Sequence, residues 1–209
     1  MTYVMSDIHG NYHAFKKMLE QINFSDKDLL YIAGDLVDYG EEGMELVCDV
    51  SMRENVYSIV GDHDFEALKM LKKFEQMLEM GEAPTPEYAK AMNDWVHDGG
   101  ALTLEGFRKL DPEMREGVID YLSDMALFEE ITVNGRDYVI VHAGIKNFTP
   151  DIDLENLSPE DFIYEGLDPD ADKDMIYYGN GAIFLDCGSA ENGILGCLCL
   201  DNGKEYYVK

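Results

Sequence analysis

The chain is short of cations, prolines, cysteines and long apolar runs, and each shortage removes a class of protein. Sixteen Lys and Arg against 43 Asp and Glu leave a formal charge of −27 over 209 residues. A field of that sign repels nucleic-acid backbones and anionic membranes, so neither is an expected partner. It also repels phosphorylated molecules at long range. Any phosphate chemistry here therefore needs local cations, and metal ions are the obvious source. No apolar run approaches the roughly 20 residues that a membrane span requires. The opening Met1-Thr2-Tyr3-Val4-Met5-Ser6-Asp7 lacks the basic and apolar regions of a signal peptide, and a cytoplasmic location is expected. The cysteines Cys48, Cys187, Cys197 and Cys199 lack the CxxC spacing of a zinc or redox motif, which predicts free thiols. Cys197 and Cys199, two apart in an apolar run, should share one face of a strand. Only six prolines in a 46% hydrophobic chain argue against disorder and for a buried core.

What is present reads as alternating strand and helix. Tyr3–Met5, Leu29–Ala33 and Val56–Val60 are apolar runs of strand length, and helical stretches near Tyr12–Gln21 and Glu41–Val50 lie between them. Unbroken apolar strands separated by helices predict a parallel sheet covered on both faces. From about Phe65 to Met125 the spacing is helical, with a break at Ala83-Pro84-Thr85-Pro86 and a helix start at Asp111-Pro112. This helical insertion shows no chemical motif. Phe128–Val133 and Tyr138–Val141 flank Asn134-Gly135, which predicts a type I′ hairpin. Ser158-Pro159 should start a short helix. Ala182–Asp186, Leu195–Leu200 and Glu205–Val208 suggest a closing antiparallel meander. No linker divides the chain, so residues 1–209 are expected to form one domain.

Four of the apolar strands end in metal-ligand residue types. They run into Asp7-Ile8-His9-Gly10, Gly34-Asp35-Leu36-Val37-Asp38, Gly61-Asp62-His63-Asp64 and His142-Ala143-Gly144. In an open α/β sheet, ligand groups gather beyond the carboxyl ends of the strands, so four such ends can converge. Mixed carboxylate and imidazole donors suit Mn²⁺, Fe or Zn²⁺ rather than Ca²⁺.

These ordered motifs resemble those of the metallophosphoesterases of the calcineurin-like superfamily. They are most similar to the phosphoprotein phosphatase branch, which includes bacterial serine/threonine phosphatases and diadenosine tetraphosphatase-like enzymes. The resemblance spans essentially the whole chain. It implies a four-layer α/β/β/α sandwich, here with the helical insertion at about 65–125. It also implies a metal-dependent phosphatase acting on phosphoprotein or nucleotide-type substrates. In that carry-over Asp7 and His9 hold a first metal, Asp35 bridges, and Asp62 and His142 hold a second. A metal-bound hydroxide attacks phosphorus in line, while His63 protonates the leaving oxygen and Asp64 orients the His63 imidazole.

Three departures leave a second reading open. Tyr39 stands where the family pattern has an arginine that grips phosphate. Asp62 stands where it has an asparagine, adding charge where a phosphate must approach. No histidine follows His142, although the family has a late one, so the second metal site is weak or empty. The alternative is a degenerate, metal-binding pseudophosphatase with a regulatory or binding role. Neither oligomeric state nor substrate identity follows from these residues. His13 and His97 read as surface histidines. The acidic run Asp168–Asp174 lacks the glycine and glutamate of a calcium loop and reads as a solvated loop.

Overall fold

The computed structural model describes residues 1–145, 148–149, 151–163, 174–179 and 181–209. The acidic run from Asp168, apart from Asp174, lies outside these residues, as does the stretch from Tyr164. The elements in chain order begin with strand β1 (Thr2–Met5), helix α1 (Tyr12–Gln21), β2 (Leu29–Ala33), α2 (Gly43–Ser51) and β3 (Val56–Ile59). The insertion follows as α3 (Asp62–Met80), α4 (Pro86–Trp95), a π-helical turn at Val96–Gly100, α5 (Ala101–Lys109) and α6 (Pro112–Asp124). Then come β4 (Glu129–Val133), β5 (Arg136–Ile140), α7 (Pro159–Ile163), β6 (Tyr177–Gly179), β7 (Ala182–Phe184), α8 (Ser189–Asn192), β8 (Leu195–Cys199) and β9 (Lys204–Val208).

The central sheet has the order β3-β2-β1-β8-β9, with β1, β2 and β3 parallel and β8 and β9 antiparallel. Successive side chains point to opposite faces of a strand, and both faces here are buried. Tyr3, Met5, Leu30, Ile32, Cys197 and Cys199 face a core shared with Phe15, Met18, Leu46, Leu71 and Phe107 of the helices. Val4, Tyr31, Ala33 and Ile59 face the other way, onto Ile131 and Ile140 of the β4–β5 hairpin. The chain is thus a mixed α/β fold in which helices, central sheet and smaller β-ladders are layered, as the resemblance implied.

The tail departs from the expected meander. Strand β7 pairs with β6 in a separate two-stranded ladder, while β8 adds to β1 of the central sheet. Local spacing shows three short strands but not which partners they choose. The β4–β5 hairpin forms as expected, with Asn134 and Gly135 at φ 51° and 76°. Helix α3 starts at Asp62, three residues earlier than its apolar stripe suggests, because Asp64 caps it. All four cysteines are free thiols, and Cys187, Cys197 and Cys199 are buried. Among the described residues no helix is long and apolar enough to cross a membrane.

Candidate metal centre

The parallel strands β1, β2 and β3 deliver their following loops to one end of the sheet. Three backbone bonds clip the first loop onto the second: Asp7 N–H donates to Gly34 O (3.1 Å), His9 to Asp35 O (2.9 Å) and Gly10 to Leu36 O (2.8 Å). Among the described residues, five of the seven non-glycine residues with positive φ are Asp7, His9, Asp35, Asp38 and Tyr39. Such conformations cost on the order of 1–3 kcal/mol each and persist only where surroundings overdetermine them. The strain is therefore concentrated in two loops that carry the candidate ligands. The approach is also close. A Cβ on Gly34, whose φ is +91°, would meet His142 Nδ1 at 2.5 Å, and one on Gly61 would meet Asp35 Oδ1 at 2.0 Å.

Asp35 stands at the middle of the donors. Its Oδ2 lies 3.4 Å from His9 Nε2 and 3.7 Å from His142 Nε2. His9 Nε2 also faces Asp7 Oδ1 at 3.9 Å, and His142 Nε2 faces Asp62 Oδ1 at 3.0 Å. Candidate ligand atoms of Asp7, Asp35 and His142 lie within 4.8 Å of one another, and so do those of Asp35, Asp62 and His63. His142 therefore approaches the Asp7–Asp35 pair as well as Asp62. In both His9 and His142 the Nδ1 nitrogen is 3.1 and 2.9 Å from a backbone carbonyl, Val37 O and Ala33 O respectively. An Nδ1–H bonded to a carbonyl fixes the tautomer and leaves the Nε2 lone pair for a cation, the usual support of a metal-bound imidazole.

The electrostatics agree with that fit at His9 and leave protons on the buried carboxylates and His142 that a cation would displace. Burial pushes the Asp7 carboxyl up to about 6, although His142 and the Ser6 hydroxyl pull it down. Burial likewise drives Asp35 well above the carboxylate range, against the charge of His142. Burial holds His9 below the usual imidazole range, which favours its neutral, ligating form. Burial opposes charge on His142, but Asp35, the Asp62 bond and Asp7 outweigh it and raise its pKa. Crowded buried carboxylates with two inward Nε2 atoms form a donor set suited to divalent cations.

The expected role of Asp64 needs correction. Its buried carboxylate accepts from the backbone amides of Asp35 (2.8 Å), Leu36 (2.9 Å), Val37 (3.4 Å) and Gly61 (3.1 Å). It caps α3 and pins the second loop. The carboxylate on the His63 ring is Asp38, whose Oδ2 is 2.9 Å from His63 Nδ1. The reason is geometric: His63 and Asp64 are neighbours on a helix, and adjacent helical side chains do not face each other. Two insertion residues missed in the sequence, Trp95 and Thr103, also donate to Asp38. The one tryptophan and the Gly99-Gly100 pair were the available signals. Asp186 after β7 is a further missed carboxylate, since its charge acts on both Asp7 and His9. His13 and His97 lie exposed away from this cluster.

Tyr39 stands over the site. Its ring meets His9 and His63 edge-on, with centroids 5.1 and 5.0 Å away. Its hydroxyl lies 3.5 Å from Asp98 Oδ1. A cavity of about 250 Å³ opens beside it, lined by His9, Gly10, Asn11, Tyr39, Gly40 and Ser189 among others.

A family model described as calcineurin-like phosphoesterase matches residues 2–180. The chain belongs to the calcineurin-like phosphoesterase family. A symmetrical bis(5'-nucleosyl)-tetraphosphatase of Buchnera aphidicola is 44% identical over 120 residues, covering 52% of this chain and 42% of that relative. The chain thus spans less than half the length of such relatives. An uncharacterized protein of Methanocaldococcus jannaschii is 26% identical across 100% of the chain and 74% of its own length. A crystal structure provisionally described as a diadenosine tetraphosphatase superposes with a TM-score of 0.65 at 20% identity, over 99% of this chain and 92% of that one. This last likeness bears on the fold.

Proposed function

We propose that this phosphoesterase hydrolyses a phosphorylated small molecule of the nucleotide type, with Asp7, His9, Asp35, Asp62 and His142 holding two divalent cations. The observation that carries the reading is the pair of imidazoles, His9 and His142. Each is anchored through Nδ1 to a carbonyl and turns Nε2 toward the shared carboxylate of Asp35. Cations bound there would neutralise phosphoryl oxygens and acidify a water for attack. Mn²⁺, Fe and Zn²⁺ suit the donors. The substrate class draws on the relatives named as nucleosyl-tetraphosphatases.

The chain's own residues do the remaining work. His63 gives its proton to the departing oxygen as the bond from that oxygen to phosphorus breaks. Asp38 holds Nδ1 and so leaves Nε2 for the substrate. Burial opposes charge on His63, but the Asp38 bond and the charges of Asp35, Asp38 and Asp62 raise its pKa to about 9. Of these groups, Asp38 lies outside the proposed ligand set, so its bond to Nδ1 favours the protonated ring that an acid needs. Tyr39 walls one side and offers a single hydroxyl to a phosphate, where an arginine would offer a charged fork.

Metal analysis with hydrolysis of p-nitrophenyl phosphate and diadenosine tetraphosphate in Mn²⁺ tests the reading. Two metals per chain, turnover, and its loss in His63→Asn are expected. One metal or none, with a rate indifferent to that substitution, would sink it. The second reading, a metal-binding protein without efficient turnover, is favoured by the Asp62–His142 ion pair and by Tyr39 over the site. Under it, Tyr39→Arg together with Asp62→Asn raises activity.

A further inference from the structure

We propose that Trp95 and Thr103, both in the helical insertion, are positioning residues for hydrolysis: they fix the Asp38 carboxylate so that it holds His63 in its proton-donating orientation. The proposal rests on the reading of His63 as proton donor given above. Asp38 is wholly buried, and the insertion grips both of its carboxylate oxygens. Oδ1 accepts from Thr103 Oγ1 at 2.6 Å. Oδ2 accepts from Trp95 Nε1 at 2.9 Å and stands at the same distance from His63 Nδ1. The Thr103 hydroxyl also accepts the Asp38 amide at 2.9 Å, so it holds main chain and side chain together. Trp95 and Thr103 are 6% and 1% exposed, which leaves little room for water to replace either donor. Asp38 itself has φ +70°, a conformation that needs such external bonds to persist.

The insertion is shaped to deliver both donors. In a straight helix, residues eight apart lie about 12 Å from each other along the axis. Here the π turn breaks the helix at Asp98 and Gly99, whose φ values are −95° and 101°. Trp95, ending α4, and Thr103, in the first turn of α5, thereby reach one carboxylate. A Cβ on Gly100 would lie 2.2 Å from the Trp95 indole, so the glycine lets the ring pack on the turn. Gly99 O accepts the Tyr39 amide at 3.0 Å, tying down the residue after Asp38. Any buried indole N–H and hydroxyl need partners, so a purely structural role is the competing account. That account places no demand on the leaving group.

Phenyl phosphate, whose leaving oxygen needs a proton, is compared with p-nitrophenyl phosphate, whose leaving oxygen needs little help. The full chain in Mn²⁺ is assayed as wild type, Trp95→Phe, Thr103→Val and Thr103→Ser. In the first two variants kcat on phenyl phosphate should fall about 10- to 100-fold, within the range a general acid supplies, with KM nearly unchanged. The p-nitrophenyl rate should fall far less, and Thr103→Ser, which keeps the hydroxyl, should retain both rates. Equal losses on the two esters, or no loss, overturn the proposal. A second readout needs no turnover: the His63 Nδ1–H proton resonance, identified by its absence in His63→Asn. It should broaden or vanish in Trp95→Phe and Thr103→Val while the rest of the spectrum stays dispersed. If the wild type cleaves neither ester, this resonance alone decides the positioning, and the hydrolase reading itself fails only if diadenosine tetraphosphate is also left intact. A signal unchanged in both variants overturns it.

Discussion

Stripping metal from this protein should make its stability fall as pH rises above 6.5, with His63 and His142 both contributing to that fall. Burial opposes the charged His63 ring, but Asp38, Asp35 and Asp62 raise its pKa from 6.5 to about 9. A group whose folded pKa is raised stabilises the fold fully below its unfolded pKa, and that contribution is lost as pH rises through the folded one. The window is therefore pH 6.5 to 9. A proton held by the native state alone is worth about 1.4 kcal/mol per pH unit, which gives a ceiling near 3 kcal/mol. The imidazole is 15% exposed. Solvent screening should then leave roughly 2 kcal/mol, or about 4–8 °C in Tm for a chain of this length. Asp7, pushed up by burial to about 6, adds loss with the same sign between pH 3.8 and 6. Thermal melts in chelator at pH 6, 7, 8 and 9, for wild type and His63→Asn, measure it. The variant should show a flatter profile. Bound cations displace the protons of the ligands Asp7, Asp35 and His142, so the Tm gained from Mn²⁺ should be larger at pH 8.5 than at pH 6. A chelated wild type that is equally stable at pH 6.5 and 9, or more stable at 9, refutes the electrostatic account of the site.

Other outcomes are more local. Gly34→Ala puts a Cβ against His142 and Gly61 at a φ of +91°, so it should cost at least about 3 kcal/mol in urea unfolding and abolish metal binding. Phe107→Ala empties a fully buried position between the helices and should cost about 3–5 kcal/mol in the same assay. Asp111→Ala removes the cap that accepts Met114 N–H at 2.9 Å and should cost about 1 kcal/mol, with activity unchanged. Tyr39→Arg restores a charged phosphate grip worth about 1.5–3 kcal/mol, so kcat/KM on phosphate monoesters should rise at least tenfold. No rise there would show that Tyr39 is not what limits the site.

Much of the scaffold was legible in residue order. The runs at Tyr3–Met5 and Leu29–Ala33 are apolar without alternation because both faces of their sheet are covered, while the edge strand β3 leaves Tyr57 exposed. Asn134-Gly135 announced its hairpin, and Asp111-Pro112 its helix. The partners of β7 and β8 were not legible, because pairing is a non-local choice that three short strands in a row leave open. The insertion also looked chemically silent. Trp95 and Thr103 act on a carboxylate 57 and 65 residues earlier in the chain, and no local spacing encodes that reach.

The sequence by itself determined which candidate donors reach the site. Asp7, His9, Asp35 and Asp62 follow the parallel strands β1, β2 and β3, whose carboxyl ends meet at one edge, while His142 arrives from the separate β4–β5 hairpin. Only the tertiary structure decided which carboxylate meets which imidazole. Asp64 is bonded to His63 through the chain yet turns away into four amides. Asp38, 25 residues earlier and held at a positive φ, lies against the His63 ring. Chain order supplies the residue types, but side-chain direction follows from helix geometry and from loops that neighbouring segments clamp in strained conformations.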